Sequence, residues 1–309
     1  MKIRAINKSV FLAYVGIAFV VLFWGVVPSF KKMLIGDSFS ASVYTAVTAL
    51  SAAVVLLFMN IGSLKKINRS YFKVAIPTGV CLGAATLLQA LAYNFDASPT
   101  NQAFLENLSC IAVPIILFVA IKKRPTLLTV SACILCMISS MVRAGVFNVG
   151  IDLKTADILN ALAGIIYGVN IAVSGMYAKR FSASIYVMLQ HFVYATIAAV
   201  MAVVLNFVSI GGRVVDPFVF TPDLLLILVL VLLGALSNAL CWTLRTHSMK
   251  YVSASAVAVI MPLSAVVTGI FAIILGQDEP SVTLLIGGFI GFAAAIISGM
   301  SDVKESERS

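Results

Sequence analysis

Ten apolar runs separated by short polar breaks make up the chain. They lie near Val10–Leu34, Ser40–Ile61, Tyr71–Phe95, Thr100–Ile121, Leu127–Val146, Asp157–Ala178, Ser184–Val208, Asp223–Arg245, Ser255–Gly276 and Val282–Met300. Each is close to the roughly 20 residues that a helix needs to cross about 30 Å of hydrocarbon. The pattern therefore predicts an all-α polytopic membrane protein with ten transmembrane helices. Only the segments around Arg143–Asp157 and Phe207–Pro222 are long enough to hold much irregular structure.

Composition removes the soluble alternative. Of 309 residues, 61% are hydrophobic and 11% charged, with mean hydropathy +1.08, whereas a soluble domain carries about 25% charged residues. The net charge of +9 does not point to nucleic acid, because the cations sit in short clusters between apolar runs and not among aromatics on one face. Of the 21 Lys and Arg, sixteen precede helix 1, follow helices 2, 4, 6 and 8, or lie in the tail. Five (Lys31, Lys32, Arg143, Lys154 and Arg213) fall on the other side. The positive-inside rule then places both termini in the cytoplasm of a plasma (bacterial inner) membrane. The N-terminal "MKIRAINKSV" and its apolar continuation have signal-peptide character, but the run is too long and no A-x-A-like site follows, so it reads as an uncleaved first span. The five cysteines all fall in apolar runs and read as packing residues; the "CILC" pair at Cys133 and Cys136 has no second pair to complete a metal site. No metal and no cofactor is expected.

Sliding the chain by 155 residues lays Ser98–Thr126 on Ser253–Ser281 without a gap, matching Ser98/Ser253, Ala103/Ala258, Leu108/Leu263, Ser109/Ser264, Ile115/Ile270 and Pro125/Pro280. The same offset sets "KKRPT" on "QDEPS", exchanging three cations for a Gln and two anions. Two tandem five-helix units must point in opposite directions because five is odd, so this exchange is what opposite sides of a membrane require. The chain is thus expected to consist of a first five-helix repeat (1–150), an inverted second repeat (151–301) and a short cytoplasmic tail (302–309). Inverted repeats of this kind build secondary transporters, with the substrate site near the midplane.

Several motifs strengthen this reading: "FWGVVPSFKK" in helix 1, "ALAYNFDASPTNQAF" between helices 3 and 4, "ASAVAVIMPLSAVVTGIFAIILGQDEPS" in helix 9 and the Gly- and Ala-rich "LLIGGFIGFAAAIISG" in helix 10. With these the chain resembles the drug/metabolite transporter (DMT) superfamily, specifically the ten-helix EamA-type transporters, over nearly its whole length. It departs from them in lacking an Arg in the outer third of helix 2 and in carrying its helix 4 proline at Pro114, not at Leu108–Cys110. The resemblance implies a central cavity lined by helices 1, 3, 4, 6, 8 and 9, with helices 5 and 10 peripheral and helix 7 away from the centre. It also implies transport of small metabolites, often outward.

Helical spacing supplies candidate lining residues. Gln102, Glu106 and Ser109 share one face of helix 4; Thr86, Gln89 and Tyr93 share one of helix 3; Asn160, Tyr167, Asn170 and Ser174 share one of helix 6. Asn238, Trp242 and Arg245 do so on helix 8, and Trp24, Pro28 and Lys31 on helix 1. Polar stripes are costly against lipid and should turn inward, though interhelical hydrogen bonding also accounts for individual Asn and Ser residues. Trp24, Tyr167 and Trp242 read as walls for an apolar or cationic substrate or as core. Glu106, roughly 10 Å below the outer start of helix 4, has three open readings. It binds a cationic substrate group, carries a coupling proton, or braces the helices against Lys31, Lys32 or Arg245. Lys31 and Lys32 read as snorkelling to the outer interface, Gln190–His191 as packing, and Pro28, Pro114 and Pro262 as hinges.

The function expected is secondary active transport of a small metabolite (an amino acid, amine or amphipathic compound) across the plasma membrane by alternating access, most often outward, with coupling to a proton as one option. The absence of GxxxxGK[ST] from the sequence removes ATP as the direct energy source. Uptake of a vitamin, nucleobase or quaternary amine in the same fold is the alternative. A non-transporting scaffold or intramembrane enzyme is remote, since catalysis would need paired acids, a metal cluster or an activated nucleophile. The partners expected are the lipid bilayer, a small-molecule substrate and a coupling proton, with no nucleic acid, in a monomer or homodimer.

Overall fold

The computed structural model describes residues 8–143, 154–210, 212–280 and 282–306. Lys2, Arg4, Arg308, the boundary at 150/151 and the end of the fifth apolar run at Val146 lie outside them. Among the described residues ten helices follow one another: α1 Lys8–Leu34, α2 Ala41–Asn60, α3 Arg69–Ala92, α4 Pro99–Ile121, α5 Leu127–Arg143, α6 Thr155–Tyr177, α7 Ala183–Val204, α8 Leu224–Ser248, α9 Ala254–Ile274 and α10 Val282–Ser306. Among the described residues nine are long and apolar enough to span a membrane, and Leu127–Val142 is a shorter apolar helix. α10 continues to Ser306, so the first residues of the expected tail are helical. Helices satisfy their own backbone polar groups, the condition for crossing hydrocarbon. A two-residue hairpin, β1 Ser209–Ile210 with β2 Arg213–Val214, lies between α7 and α8.

Two of these helices change type midway at positions 155 residues apart. α4 tightens to a 3-10 turn at Glu106–Leu108, and α9 does so at Met261–Leu263. Their N-caps keep the same offset. Ser98 accepts from the Asn101 N–H and Ser253 from the Ala256 N–H, each satisfying one orphan donor of the first turn. The contacts repeat as well. A Cβ on Gly25 of α1 would stand 2.4 Å from Val267 Cβ, and one on Gly168 of α6 would stand 2.5 Å from Ala112 Cβ. Val267 and Ala112 are again 155 apart. At both places only glycine admits the neighbouring helix at this distance.

α5 and α10 pack against each other at one side, where Ser139 Oγ donates to Gly287 O (2.6 Å) and Ser301 Oγ meets Thr126 and Thr129. α2, α3, α7 and α6 form the opposite wall around buried Tyr186, Tyr194 and Met188. At one end the α7–α8 loop is tied to the α1–α2 loop by Ser40 N–H to Val219 O and Thr221 N–H to Ser38 O, both 2.9 Å. Asp216 from that loop caps α2 from outside the helix. Its carboxylate accepts the N–H groups of Ala41 and Ser42 (2.9 Å each) and the Asn94 amide (3.0 Å).

The prolines are accommodated locally. Pro114 cannot donate to the Cys110 carbonyl, and the Cys133 thiol donates there instead (3.1 Å). That gives the CxxC pair a packing and hydrogen-bonding role against α4, with Cys110, Cys133 and Cys136 all buried.

Candidate functional site

A polar cavity opens where the broken helices meet. Its volume is about 80 Å³. Its wall includes Trp24, Pro28 and Lys31 of α1, Gln89 of α3, Gln102, Glu106 and Ser109 of α4, Tyr167 of α6, Asn238, Trp242 and Arg245 of α8, and Pro262 of α9. Among the described residues, none of α5 or α10 lines it. Tyr44 and Thr48 of α2 and Tyr194 of α7 do line it, so the expectation that helix 7 stays clear of the centre is corrected. α2 and α7 are drawn in because small residues let α3 and α8 lie close: a Cβ on Gly79 would meet Gln190 O at 2.9 Å, and one on Gly234 would meet Thr48 O at 2.4 Å.

Gln89 organises the charged part. Its Nε2 donates to Glu106 Oε2 (2.9 Å), while its Oε1 accepts from Lys31 Nζ (3.3 Å) and from the Tyr167 hydroxyl (3.1 Å). Thr86 Oγ1 lies 2.8 Å from the same hydroxyl. Glu106 thus meets Lys31 through an amide, so neither of the direct braces expected with Lys31 and Lys32 describes the arrangement. Lys31 is buried rather than snorkelling, and Lys32 donates to Gln277 O (3.3 Å). The signal for Lys31 was present in its i, i+4, i+7 alignment with Trp24 and Pro28.

The Arg245 guanidinium carbon lies 3.8 Å above the Trp242 ring and 5.7 Å from the Trp24 ring centre. Arg245 donates to Asn170 Oδ1 (2.9 Å), and Asn170 in turn donates to Thr78 O (2.9 Å). Asn170 therefore sits behind Arg245 and outside the cavity lining. Tyr93 is likewise displaced, its hydroxyl bonded to Pro28 O (2.9 Å). Arg245 is 1% exposed, so it belongs with the interior and not with the loop cations; without it and Lys31 the loop charges partition fifteen to four. Arg245 Nε and Gln102 Oε1 are buried and have no protein partner. Such groups are ordinarily satisfied by water or ligand.

The wall of α8 is shaped by a π-helical stretch, Gly234–Cys241, and Trp24 Nε1 donates to the Ser237 carbonyl within it (3.1 Å). π-bulges concentrate at functional sites, but "GALSNALC" gives no pattern by which to predict one. Pro262 stands in the 3-10 turn of α9, whereas the corresponding turn of α4 precedes Pro114 by at least six residues. Pro114 faces away from the cavity, into a groove beside α5. His191 and Gln190 are fully buried on α7, the His191 ring lying 6.1 Å from Trp242.

The α9–α10 turn is tied to α1 and to the start of α4. Gln277 Nε2 donates to Ser29 O (3.0 Å), and Asp278 accepts from the backbone N–H (3.4 Å) and hydroxyl of Thr100. Gly276, at φ +66°, allows the chain to fold back there. The matching α4–α5 turn, Lys122–Pro125, is exposed.

Residues 154–300 match the model of the EamA-like transporter family. One solved crystal structure of a protein superposes with TM-score 0.73 at 14% identity, covering 97% of this chain and 99% of its own. At that identity the likeness concerns the fold alone. A search of curated proteins finds no match to the chain.

Proposed function

With an EamA-like transporter domain of the drug/metabolite transporter superfamily in its second half as the premise, we propose that this multi-pass membrane protein is a secondary active transporter. Its substrate is a small amine-bearing metabolite, an amino acid being the simplest that engages the whole cavity. The observation that carries the reading is a cavity lined by both an acid and a guanidinium: Glu106, held by Gln89 beside Lys31, and Arg245, stacked on Trp242. A substrate ammonium meets Glu106, and a carboxylate meets the unpartnered Nε of Arg245. The aromatic rings between them take an apolar side chain. The two five-helix halves, 1–150 and 151–301, move as inverted repeats about this site, and the turns at Glu106–Leu108 and Met261–Leu263 supply the bending points. Outward movement follows the resemblance to EamA-type transporters, and the excess of cations on one side supports cytoplasmic termini in a plasma membrane. Glu106 is the candidate carrier of a coupling proton. Arg245 already occupies the Trp242 face, which disfavours a quaternary amine held by that ring.

The test is counterflow of labelled amino acids and amines in proteoliposomes with and without a proton gradient. Glu106→Gln is expected to lower affinity for amine substrates by at least tenfold, the loss of one charged hydrogen bond of about 1.5–3 kcal/mol. Wild-type affinity and wild-type pH response in that variant would overturn both roles for Glu106.

A further inference from the structure

Outside the cavity, between the second half of α4 and α5, lies an apolar groove of about 610 Å³. We propose that it binds an acyl chain of an anionic membrane phospholipid, whose headgroup rests on the Lys122–Arg124 turn.

Three observations converge on this occupant. Ile115, Phe118, Ile134 and Ile138 line the groove and are each more than a third exposed, so its surface is apolar and faces the bilayer. Next, the second half fills its equivalent space with its own side chain. Pro114 and Thr129 of the groove correspond, at the 155-residue offset, to Gly269 and Leu284. A Cβ on Gly269 would stand 2.5 Å from Leu284 Cδ1, and Leu284 is buried. At the first site the residue is the short Thr129, whose hydroxyl is engaged by Thr126 and Ser301 (3.0 Å each). The space that one half closes with a leucine is left open in the other, and hydrocarbon is what the surrounding solvent supplies. Finally, the charge at the mouth is complementary to a phosphate. Pro125 lines the groove, and Lys122, Lys123 and Arg124 immediately before it are exposed. The corresponding positions of the second half carry Gln277, Asp278 and Glu279. A cluster of cations at the end of a membrane helix attracts anionic headgroups, each contributing about a fivefold preference. The bound lipid stands on the back of the same helix whose front carries Glu106, and it would wedge α4 against α5.

The full chain, reconstituted in vesicles of equal phosphatidylglycerol and phosphatidylcholine and then extracted, would be examined by native mass spectrometry. The expected result is one retained phosphatidylglycerol per chain. Lys123→Gln with Arg124→Gln, which leaves the left-handed backbone of Lys122 (φ 56°) untouched, should reduce the preference for phosphatidylglycerol roughly 20- to 30-fold. Ile134→Trp, filling the groove, should abolish retention of either lipid while the double Gln variant still retains some phosphatidylcholine. Thermal unfolding in neutral detergent checks that both variants are folded. Equal retention of the two lipids by the wild type, or unchanged retention in both folded variants, overturns the proposal. So does a dimer that Ile134→Trp dissociates, because the occupant would then be a second copy.

Discussion

Replacing Asp216 by Ala should destabilise the protein by about 3 kcal/mol, although this residue lies in a loop and outside the cavity. α2 begins without a side-chain cap of its own: Ser40 occupies the N-cap position but makes no capping bond. The cap comes from Asp216, 1% exposed, which accepts the N–H groups of Ala41 and Ser42 at 2.9 Å. It also takes the Ser42 hydroxyl and the Asn94 amide. Loss of an N-cap costs about 1 kcal/mol, and each buried donor left unpaired adds about 1–3. Asn94 keeps a second acceptor in Val215 O and adds little. Ala41, Ser40 and Ser42 are too buried for water to replace the carboxylate freely, so one cap and two stranded N–H donors, each taken at the low end of its range, sum to about 3 kcal/mol. Asp223→Ala is the natural comparison, because Asp223 caps α8 through Leu225 and Leu226 in an exposed setting and should cost about 1 kcal/mol. Apparent unfolding temperatures in neutral detergent measure both, at about 2–4 °C per kcal/mol for chains of this order of size. If Asp216→Ala shifted the midpoint no more than Asp223→Ala, the loop would not be holding α2, and the capping account would be wrong.

Two other outcomes follow from close contacts and from the tied turn. Gly168→Val should cost about 1–3 kcal/mol through overpacking, since even a methyl there stands 2.5 Å from Ala112 Cβ; its midpoint in detergent would show this, and an unchanged value would mean that α4 and α6 do not approach so closely. Asp278→Ala removes the bonds to Thr100 and should speed modification of a Thr268→Cys probe by a membrane-impermeant thiol reagent added to the side bearing the α9–α10 turn. Equal rates with and without Asp278 would show that this turn does not close the cavity.

Much of this architecture was legible because hydrocarbon imposes a coarse rule. Runs of about 20 apolar residues had one available structure, and the 155-residue offset visible in Ser98/Ser253 and Pro125/Pro280 reappears in the caps and 3-10 turns. Periodicity also marked Gln89, Glu106, Tyr167, Trp242 and Arg245, which the structure brings to one cavity. It failed where position along the membrane normal and helix irregularity decide the matter. Lys31 read as an interfacial lysine because its depth relative to Gln89 depends on how α1 and α3 are staggered. Tyr44, Thr48 and Tyr194 were missed because the approach of α2 and α7 depends on glycines of other helices, Gly79 and Gly234. The π stretch of α8 was invisible because its sequence carries no local signal and its contact with Trp24 through Ser237 O is tertiary.

The wiring of Gln89 has a directional consequence. An ammonium group offers hydrogens and no lone pair, so Lys31 admits only the oxygen of the carboxamide, and the amide cannot flip while that contact holds. Its nitrogen is thereby committed to Glu106 Oε2. Oε1 is then the oxygen on which Glu106 could carry a hydrogen and leave this chain of bonds intact, because one on Oε2 would face the Gln89 N–H. Lysine and amide thus fix which oxygen of the acid is left open, at the point where α4 is already bent.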